Sequence, residues 1–311
     1  MARIIAERLV TSLFVIFGST ILVFTILYVL PGDPVDSIID PSVATPEMVE
    51  NLRKELGIDQ PYHVRLIHYF SDLFRGDFGQ SLVNSTPVLP QIIEQFPKTL
   101  ALTIVSSCIS IIVGITLGVL SAVHRNKTID VLARMIGLFG ISMPTFWTGI
   151  LLILIFSVAL GWLPSLGSDG WQTLILPSFT LGIIGAGFII RMVRNSMLEV
   201  ISENFITTLR AKGLTERAIM YRHALKNALI PALTMMGMMI GDMLAGTVII
   251  ETVFSRQGIG RLIADAIMAS DLPVVQGVIF FTAILYILIN LIVDLSYSAI
   301  DPRVRRSILH D

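Results

Sequence analysis

Long stretches without a charged residue are the feature of this sequence that most limits its fold. Five of them separate the charged clusters, at 9–32, 99–124, 135–168, 170–190 and 272–293, and a sixth, after Lys226, is interrupted by Asp242. A helix crosses a bilayer with about 20 apolar residues, and each stretch is long enough. The sequence therefore predicts an all-α, polytopic membrane protein with about six transmembrane helices, near residues 9–30, 99–123, 135–160, 173–190, 229–250 and 273–297.

The composition agrees with hydrocarbon as the main solvent. Of the 311 residues, 54% are apolar and 14% are charged, whereas soluble domains carry about 25% charged residues. The net charge of −1 gives no sign of a nucleic-acid partner. The single cysteine, Cys108, excludes an internal disulfide and a CxxC pair. The first uncharged stretch exceeds the ~7–15-residue core of a signal peptide, so we expect a retained anchor.

The basic residues sort to one side of the predicted spans. With the N-terminus inside, fifteen of the 22 Lys and Arg residues flank the spans on the inner side, as is typical of cytoplasmic loops. We therefore expect an inner-membrane protein with both termini in the cytoplasm. The chain then divides into a first segment and span at 1–30, an extracytoplasmic helical segment at 31–97, and a five-helix core at 98–311.

Two short helices are expected in the extracytoplasmic segment. Thr45 and Pro46 form a helix start, and Gly57 is a helix stop. Pro61 starts a second helix, which ends at Gly76. Each helix has one apolar face, which either only stabilises the spans or also docks a partner.

Small residues recur at every fourth position of the second predicted span. They are Ser106, Ser110, Gly114, Gly118 and Ala122. Such a ridge lets helix backbones approach closely in lipid. The pattern favours helix packing, and it leaves open whether the opposing helix belongs to this chain or to a partner.

The inner segment 191–228 is long, polar and rich in basic residues. It carries seven Lys and Arg residues and is too long for a simple connection. A short helix is predicted from Asn204 to Lys212, with Gly213 as its C-terminal stop, and a second helix follows until Pro231 opens the fifth span. The segment either docks another protein or is a basic loop that fixes topology and contacts lipid head groups.

Asp242 lies inside the fifth predicted span. A carboxylate there costs about 2.5–3.5 kcal/mol on insertion scales, so it should face a cavity or a partner. Five flexible methionines surround it in sequence: Met235, Met236, Met238, Met239 and Met243. We expect Met238, Met239, Asp242 and Ala245 to line a permissive translocation pathway. The alternative is a buried carboxylate bonded to a neighbouring helix.

Catalytic signatures are missing from the sequence. It contains no G-x-x-x-x-G-K-[ST], no H-E-x-x-H and no G-x-S-x-G. We therefore expect no catalytic residue, no metal site and no cofactor in this chain. If transport is driven by ATP, then ATP and Mg must be bound by a partner subunit.

Short motifs run in order along nearly the whole chain. They are Leu30-Pro-Gly-Asp-Pro34, Glu55-Leu-Gly-Ile-Asp-Gln-Pro61, Gly76-Asp-Phe-Gly79, Ser142-Met-Pro-Thr-Phe-Trp147, Arg194-Asn-Ser-Met-Leu-Glu199, Leu209-Arg-Ala-Lys-Gly-Leu214, His223-Ala-Leu-Lys-Asn-Ala-Leu-Ile-Pro231, Gly246-Thr-Val-Ile-Ile-Glu251, Asn290-Leu-Ile-Val-Asp294 and Asp301-Pro-Arg-Val-Arg305. In these motifs the chain resembles the permease subunits of binding-protein-dependent ABC importers for dipeptides, oligopeptides, glutathione or nickel.

The resemblance implies a type I ABC importer-like transmembrane domain and a coupling helix that docks on an ATPase. The residues it assigns to that coupling are Asn204, Phe205, Thr208, Arg210, Ala211, Lys212 and Gly213. The family motif begins Glu-Ala-Ala, whereas this chain has Thr207, Thr208 and Leu209, so the acidic contact is absent. The implied partners are a second homologous permease, two ATP-binding subunits, an extracytoplasmic solute-binding protein and the lipid bilayer.

The expected function is a pore-forming permease that moves peptides across the cytoplasmic membrane by alternating access. A nickel or glutathione importer of the same family is the alternative solute class. Two functions of another kind are a gated channel, which would transport without nucleotide, and a membrane enzyme, which would need a nucleophile or metal constellation.

Overall fold

The computed structural model describes residues 2–29, 35, 45–55 and 57–300, with side chains described for 10–29, 35, 45–54, 57–233 and 235–292. The motif at 30–34 and the tail motif at 301–305 lie outside the described residues, as does the side chain of Asp294.

Helices make up almost all of the described chain. Their bounds are α1 Ala2–Val29, α2 Pro46–Glu55, α3 Tyr62–Phe74, α4 Val88–Val123, α5 Thr128–Ser142, α6 Thr145–Leu152 with a π-helical continuation Ile153–Ala159, α7 Gln172–Ile201, α8 Asn204–Ala211, α9 Glu216–Ala218 with a π-helical continuation Ile219–Ala224, α10 Leu225–Val253, α11 Ile259–Met268 and α12 Leu272–Ile300.

The predicted number of spans is confirmed. Five helices are long and apolar enough to cross a membrane, at Val10–Val29, Val88–Val123, Gln172–Ile201, Met235–Val253 and Leu272–Ile292. A sixth candidate is the pair Thr128–Ser142 and Thr145–Ala159, which is bent by 111°. The chain is thus an all-α membrane protein with five or six spans.

The third predicted span, 135–160, coincides with a pair of helices that has a bend between them. Met143 has φ −85° and ψ 134°, the extended conformation that a following proline favours. Pro144 is the N-cap residue of α6. The helix therefore stops at Ser142 and restarts at Thr145 in a new direction.

The chain forms two compact units, and the first comprises residues 1–98 and 257–288. In it, α3 packs along α1 through aromatic rings. The ring centroids of Phe24 and Tyr69 are 5.5 Å apart, and those of Tyr28 and Tyr62 are 5.2 Å apart. Thr25 Oγ1 is 2.7 Å from the Tyr62 hydroxyl. The helix starts predicted at Pro46 and Pro61 are confirmed, and α3 lies against the first span.

The second unit comprises residues 99–256 and 289–311, and in it α7 contacts α5, α6 and α10. The small-residue ridge of α4 packs on α7: a methyl group added to Gly114 would lie 2.5 Å from Ile189 Cβ, and one added to Gly118 would lie 2.8 Å from Val193 Cβ. Ser110 Oγ donates to the Gly182 carbonyl at 2.7 Å. The ridge therefore serves packing within this chain.

Two predicted boundaries differ from the structure. Helix α10 begins at Leu225, so Pro231 lies inside it and does not open it. The π-helical turn Ile219–Ala224 makes α9 continuous with α10. Helix α4 starts at Val88, well before the predicted span start at residue 99.

Candidate coupling segment and translocation face

Helix α8 ends in a turn that only glycine adopts easily. Gly213 has φ +78°, in the left-handed region. Its N–H donates to the Arg210 carbonyl at 2.9 Å, and the Leu214 N–H donates to the Leu209 carbonyl at 3.3 Å. These two bonds are the Schellman ending of a helix. The helix predicted from Asn204 with a stop at Gly213 is confirmed.

Helix α8 has one buried side and one exposed side. Ile206 is fully buried in a core with Val193, Ile219 and Ala224, so the helix is fixed to the ends of α7 and α10. The residues predicted for ATPase coupling all lie on the exposed side: Asn204, Phe205, Thr208, Arg210, Ala211, Lys212 and Gly213. The segment thus presents a polar surface, with the apolar ring of Phe205 in it, on a rigid base.

An ion pair closes the turn between α8 and α9. Arg210 Nε donates to Glu216 Oε1 at 2.7 Å, and Arg210 Nη2 donates to Glu216 Oε2 at 3.3 Å. The hydrogen bonds from Arg210 hold the pKa of the Glu216 carboxyl below its ordinary value. Thr215 caps α9 by accepting from the Ala218 N–H at 3.4 Å. The pair holds the α8–α9 angle, although both side chains face solvent.

A buried carboxylate that the sequence did not single out joins three helices near this segment. Asp130 is fully buried and accepts two hydrogen bonds from Arg194, at 2.8 and 3.0 Å. It also accepts from Ser121 Oγ at 2.6 Å and from the Asn126 N–H at 2.9 Å. Asp130 therefore links the end of α4 and the start of α5 to α7, the helix that leads into α8. A charge just outside an uncharged stretch was its only sequence signal.

On α10, three of the four residues predicted for the translocation pathway share one exposed face. Met238 is 48% exposed, and Asp242 and Ala245 are also exposed. Met239 is half-buried within the subunit, where its sulfur would lie 2.8 Å from a methyl group on Gly185.

The expected wall of five methionines is not formed by this chain. Met236 and Met243 are buried in the two cores of the second unit, and Met235 is half-buried. Only Met238 accompanies Asp242 on the exposed face. Helical periodicity separates neighbouring positions by about 100°, so a run of methionines in sequence cannot face one side.

Asp242 has no hydrogen-bond or ion-pair partner among the described residues. The alternative of a carboxylate bonded to a neighbouring helix of this chain is therefore not realised in the part that the structure describes. A charge at this depth is costly against lipid. The carboxylate needs either a partner subunit or a water-filled passage next to it.

Glu251 and Asp271 are buried carboxylates that sequence reasoning also left unassigned. Glu251 is fully buried, and its Oε1 accepts from Thr99 Oγ1 at 2.6 Å. Asp271, in the first unit, accepts from Ser81 Oγ and, at 3.1 Å, from the Leu82 N–H. Each joins segments far apart in sequence, which no local pattern reveals.

The first unit also contains a cavity of about 440 Å³. Charges of both signs lie on its wall, with Lys54 and Arg65 alongside Asp72 and Asp77. Burial lowers the pKa of Arg65. Among the described residues, no three His, Cys, Asp or Glu side chains are placed to share a metal ion.

Comparison with known proteins places the whole chain in one family. The profile of the family described as binding-protein-dependent transport system inner membrane component matches residues 114–306. The profile of the N-terminal part, described as binding-protein-dependent transport system membrane component, matches residues 1–103.

Curated relatives match over almost their entire length. The glutathione transport system permease protein GsiC of Escherichia coli (strain K12) is 43% identical over 305 residues, which cover 98% of this chain and 99% of that protein. GsiC of Shigella dysenteriae serotype 1 (strain Sd197) gives the same values. GsiC of Shigella boydii serotype 4 (strain Sb227) is 42% identical over the same length.

Solved structures share the fold. An inward-facing form of the MetNI methionine ABC transporter superposes with a TM-score of 0.59 at 24% identity, covering 68% of this chain and 96% of that one. An amino acid ABC transporter with histidines superposes with a TM-score of 0.53 at 18% identity, covering 69% and 94%.

Proposed function

This chain belongs to the family of binding-protein-dependent transport system inner membrane components, and from that membership we propose that its solute is glutathione or a peptide of similar size. It is the pore-forming permease subunit of an ABC importer and a multi-pass protein of the inner membrane. It is not an enzyme, because ATP hydrolysis belongs to separate subunits, and a solute-binding protein completes the system.

The identity to permeases named for glutathione carries the choice of solute. Glutathione is itself a tripeptide, so this choice narrows the expected peptide class. Nickel is the second candidate solute; glutathione is preferred because the relatives that are 42–43% identical to this chain are named for glutathione transport. The external binding protein selects the solute, and the permease passes on what it is given.

The transporter is proposed to contain two ATPase subunits, which bind ATP and Mg, and a second homologous permease. Both termini and the segment 191–228 are proposed to lie in the cytoplasm, and the distribution of basic residues supports this orientation. Segments 31–97 and 251–271 then face the binding protein. ATP binding draws the coupling helices together and opens the pore outward, and hydrolysis returns it inward.

Helix α8 is proposed as the docking element for an ATPase subunit. Ile206 fixes it to the helix core, so a push on α8 moves α7 and α10 with it. On its free side Phe205 is 39% exposed among polar neighbours, the arrangement of an aromatic anchor that fills a pocket of a partner. Lys212 and Arg210 supply positive charge beside it.

The exposed face of α10 with Met238, Asp242 and Ala245 is proposed to line the translocation pathway. An unpartnered carboxylate in a span requires water or a partner, and a shared pore supplies both. Met239 is left out of this lining, because it packs inside the subunit.

Transport tests the solute assignment directly. In cells that lack the chain, uptake of labelled glutathione is expected to fall to background, while uptake of labelled nickel is unchanged. Vesicles that contain the whole transporter should take up glutathione only with ATP and the binding protein. Flux without ATP would identify a channel and contradict the proposal, and loss of nickel uptake alone would assign the other solute.

Two substitutions on the free side of α8 test docking. Phe205→Ala removes the aromatic anchor. Truncating a hot-spot residue costs about 2 kcal/mol of binding free energy, so the Kd for the ATPase subunit should rise about 30-fold. Lys212→Glu reverses a charge on the same side. Tyr221→Ala, which truncates an exposed aromatic of the same segment outside α8, is the control. ATPase pull-down and solute-stimulated hydrolysis are the readouts, and unchanged values for Phe205→Ala would reject docking through this face.

The orientation has its own test. Cys108 is replaced by Ser, and one new cysteine is introduced at Thr208 or at Asn84, which is exposed on the segment proposed to face outward. In spheroplasts, a membrane-impermeant maleimide should label the cysteine at position 84. It should label the cysteine at position 208 only after the spheroplasts are lysed. The reverse pattern would invert the proposed topology.

A further inference from the structure

A groove between α5 and α7 has a basic rim and an apolar floor. It encloses about 340 Å³ and is lined by Arg134, Gly137, Leu138, Gly187, Ile190, Arg191, Arg194 and Asn195. Its floor is formed by the two glycines and by Ile190, which are buried. Because the two glycines carry no side chains, α5 and α7 approach closely at the floor. The space above the glycines stays open as the groove.

The charges around the groove do not cancel. Three arginines line it, and the buried carboxylate of Asp130 contacts two of them. Asp130 holds Arg194 through two hydrogen bonds and lies 3.3 Å from Arg134. Arg191 is exposed and has no ion-pair partner among the described residues. One negative charge against three positive ones leaves a net charge of +2, so the groove attracts an anion.

The groove lies where the charged end of each helix meets its uncharged stretch. Residues 135–168 and 170–190 carry no charge, and Arg134 and Arg191 stand directly beside those stretches. Leu138, on the rim, is 60% exposed. The neighbouring surface of α5 is apolar and exposed at Leu132, Met135 and Phe139, as expected of a surface in contact with acyl chains.

We propose that this groove binds the phosphate head group of an anionic phospholipid, with its acyl chains along the exposed face of α5. Basic pockets between transmembrane helices are suited to anionic head groups. At about 30 Å³ for each water-sized group, the volume holds about eleven heavy atoms, enough for a phosphate with its glycerol. A zwitterionic head group would add its own positive charge to those of the three arginines. The proposed topology assigns this lipid to the cytoplasmic leaflet, but binding itself does not depend on it.

The groove is connected to the proposed coupling segment through α7. Arg194 uses Nε and Nη2 to hold Asp130, and its remaining N–H groups can donate to a bound phosphate. The same α7 leads into α8 ten residues later. A bound head group would therefore bridge α5 to α7 and stiffen the helix that carries the coupling segment.

The test uses the assembled transporter, purified in detergent with phosphatidylcholine as the only lipid. Phosphatidylglycerol is added in steps, and bound lipid is counted by native mass spectrometry. Each arginine is expected to contribute about fivefold to binding, so Arg134→Gln with Arg191→Gln should weaken it about 30-fold. Arg125→Gln with Lys127→Gln removes the same charge from exposed positions outside the groove and is the matched control.

The outcomes separate the possible occupants. Binding of phosphatidylglycerol that the groove variant loses and the control variant keeps would support the proposal. Equal binding by both variants, or equal binding of phosphatidylcholine, would overturn it. Complete loss of bound phosphatidylglycerol when inorganic phosphate or glycerol phosphate is added would also overturn the proposal. It would assign the groove to a soluble anion. Failure of glutathione uptake with lipid binding intact would count against the proposed solute and leave the lipid site in place.

Discussion

The close contact between α5 and α7 offers a sharp test, because the two helices meet through glycines that differ in how much space they have. A methyl group on Gly187 would lie 2.5 Å from the carbonyl oxygen of Gly137 and 3.0 Å from Ile141 Cγ1. The oxygen belongs to a helix backbone and cannot turn away. To reach an ordinary contact of 3.4 Å, the helices would have to separate by about 0.9 Å.

The opposite substitution is the matched control. A methyl group on Gly137 would find its nearest neighbour, Ile190 Cγ2, at 3.4 Å, which is an ordinary contact. Alanine is favoured over glycine inside a helix by about 1 kcal/mol, and overpacking costs about 1–3 kcal/mol. Gly137→Ala should therefore be neutral or stabilising by up to about 1 kcal/mol, and Gly187→Ala should destabilise by up to about 2 kcal/mol.

The assay is thermal unfolding of the purified protein in one detergent, with each alanine variant compared with the parent. The Gly187→Ala variant should have a lower melting temperature than Gly137→Ala, since 1 kcal/mol corresponds to about 2–4 °C in a protein of about 150–250 residues. Solute uptake should follow the same order. An equal melting temperature for the two variants, or a higher one for Gly187→Ala, would refute the described approach of α5 and α7.

Two further predictions concern ion pairs. Asp130→Asn should destabilise the protein by about 3–5 kcal/mol, because the largely buried charge of Arg194 loses its partner. Asp265→Asn breaks an exposed ion pair and is the control. In the same unfolding experiment it should cost under about 1 kcal/mol. For Arg210 and Glu216, the lowered pKa of Glu216 means that the pair is fully present above its ordinary value of 4.5 and is lost as the pH falls below it. The hydrogen-exchange protection factors of residues 208–218, which are corrected for the pH dependence of intrinsic exchange, should therefore be constant from about pH 7 to pH 5 and fall in more acidic solution. A similar fall in Glu216→Gln would contradict this role.

Much of the architecture could be predicted because each signal is local. Uncharged stretches located the spans, since a hydrocarbon solvent excludes charge over about 20 residues. The end of α8 was also predicted from a local signal, because Gly213 is the residue type that a left-handed helix ending favours. Motif order along the chain identified the family.

Other features needed the contacts themselves. Helical periodicity says which residues share a face, but not what the face meets. For that reason the ridge at Gly114 and Gly118 could not be assigned to packing within the chain, and the methionines near Asp242 could not be sorted into core and surface.

The sequence by itself determined the solvent, the number of spans, the ends of the short helices and the family, because these depend on residues that are close in the chain. Only the tertiary structure decided the anchoring of α8 by Ile206 and the joining of Asp130 to Arg194. These depend on residues up to 64 positions apart, which only packing brings together.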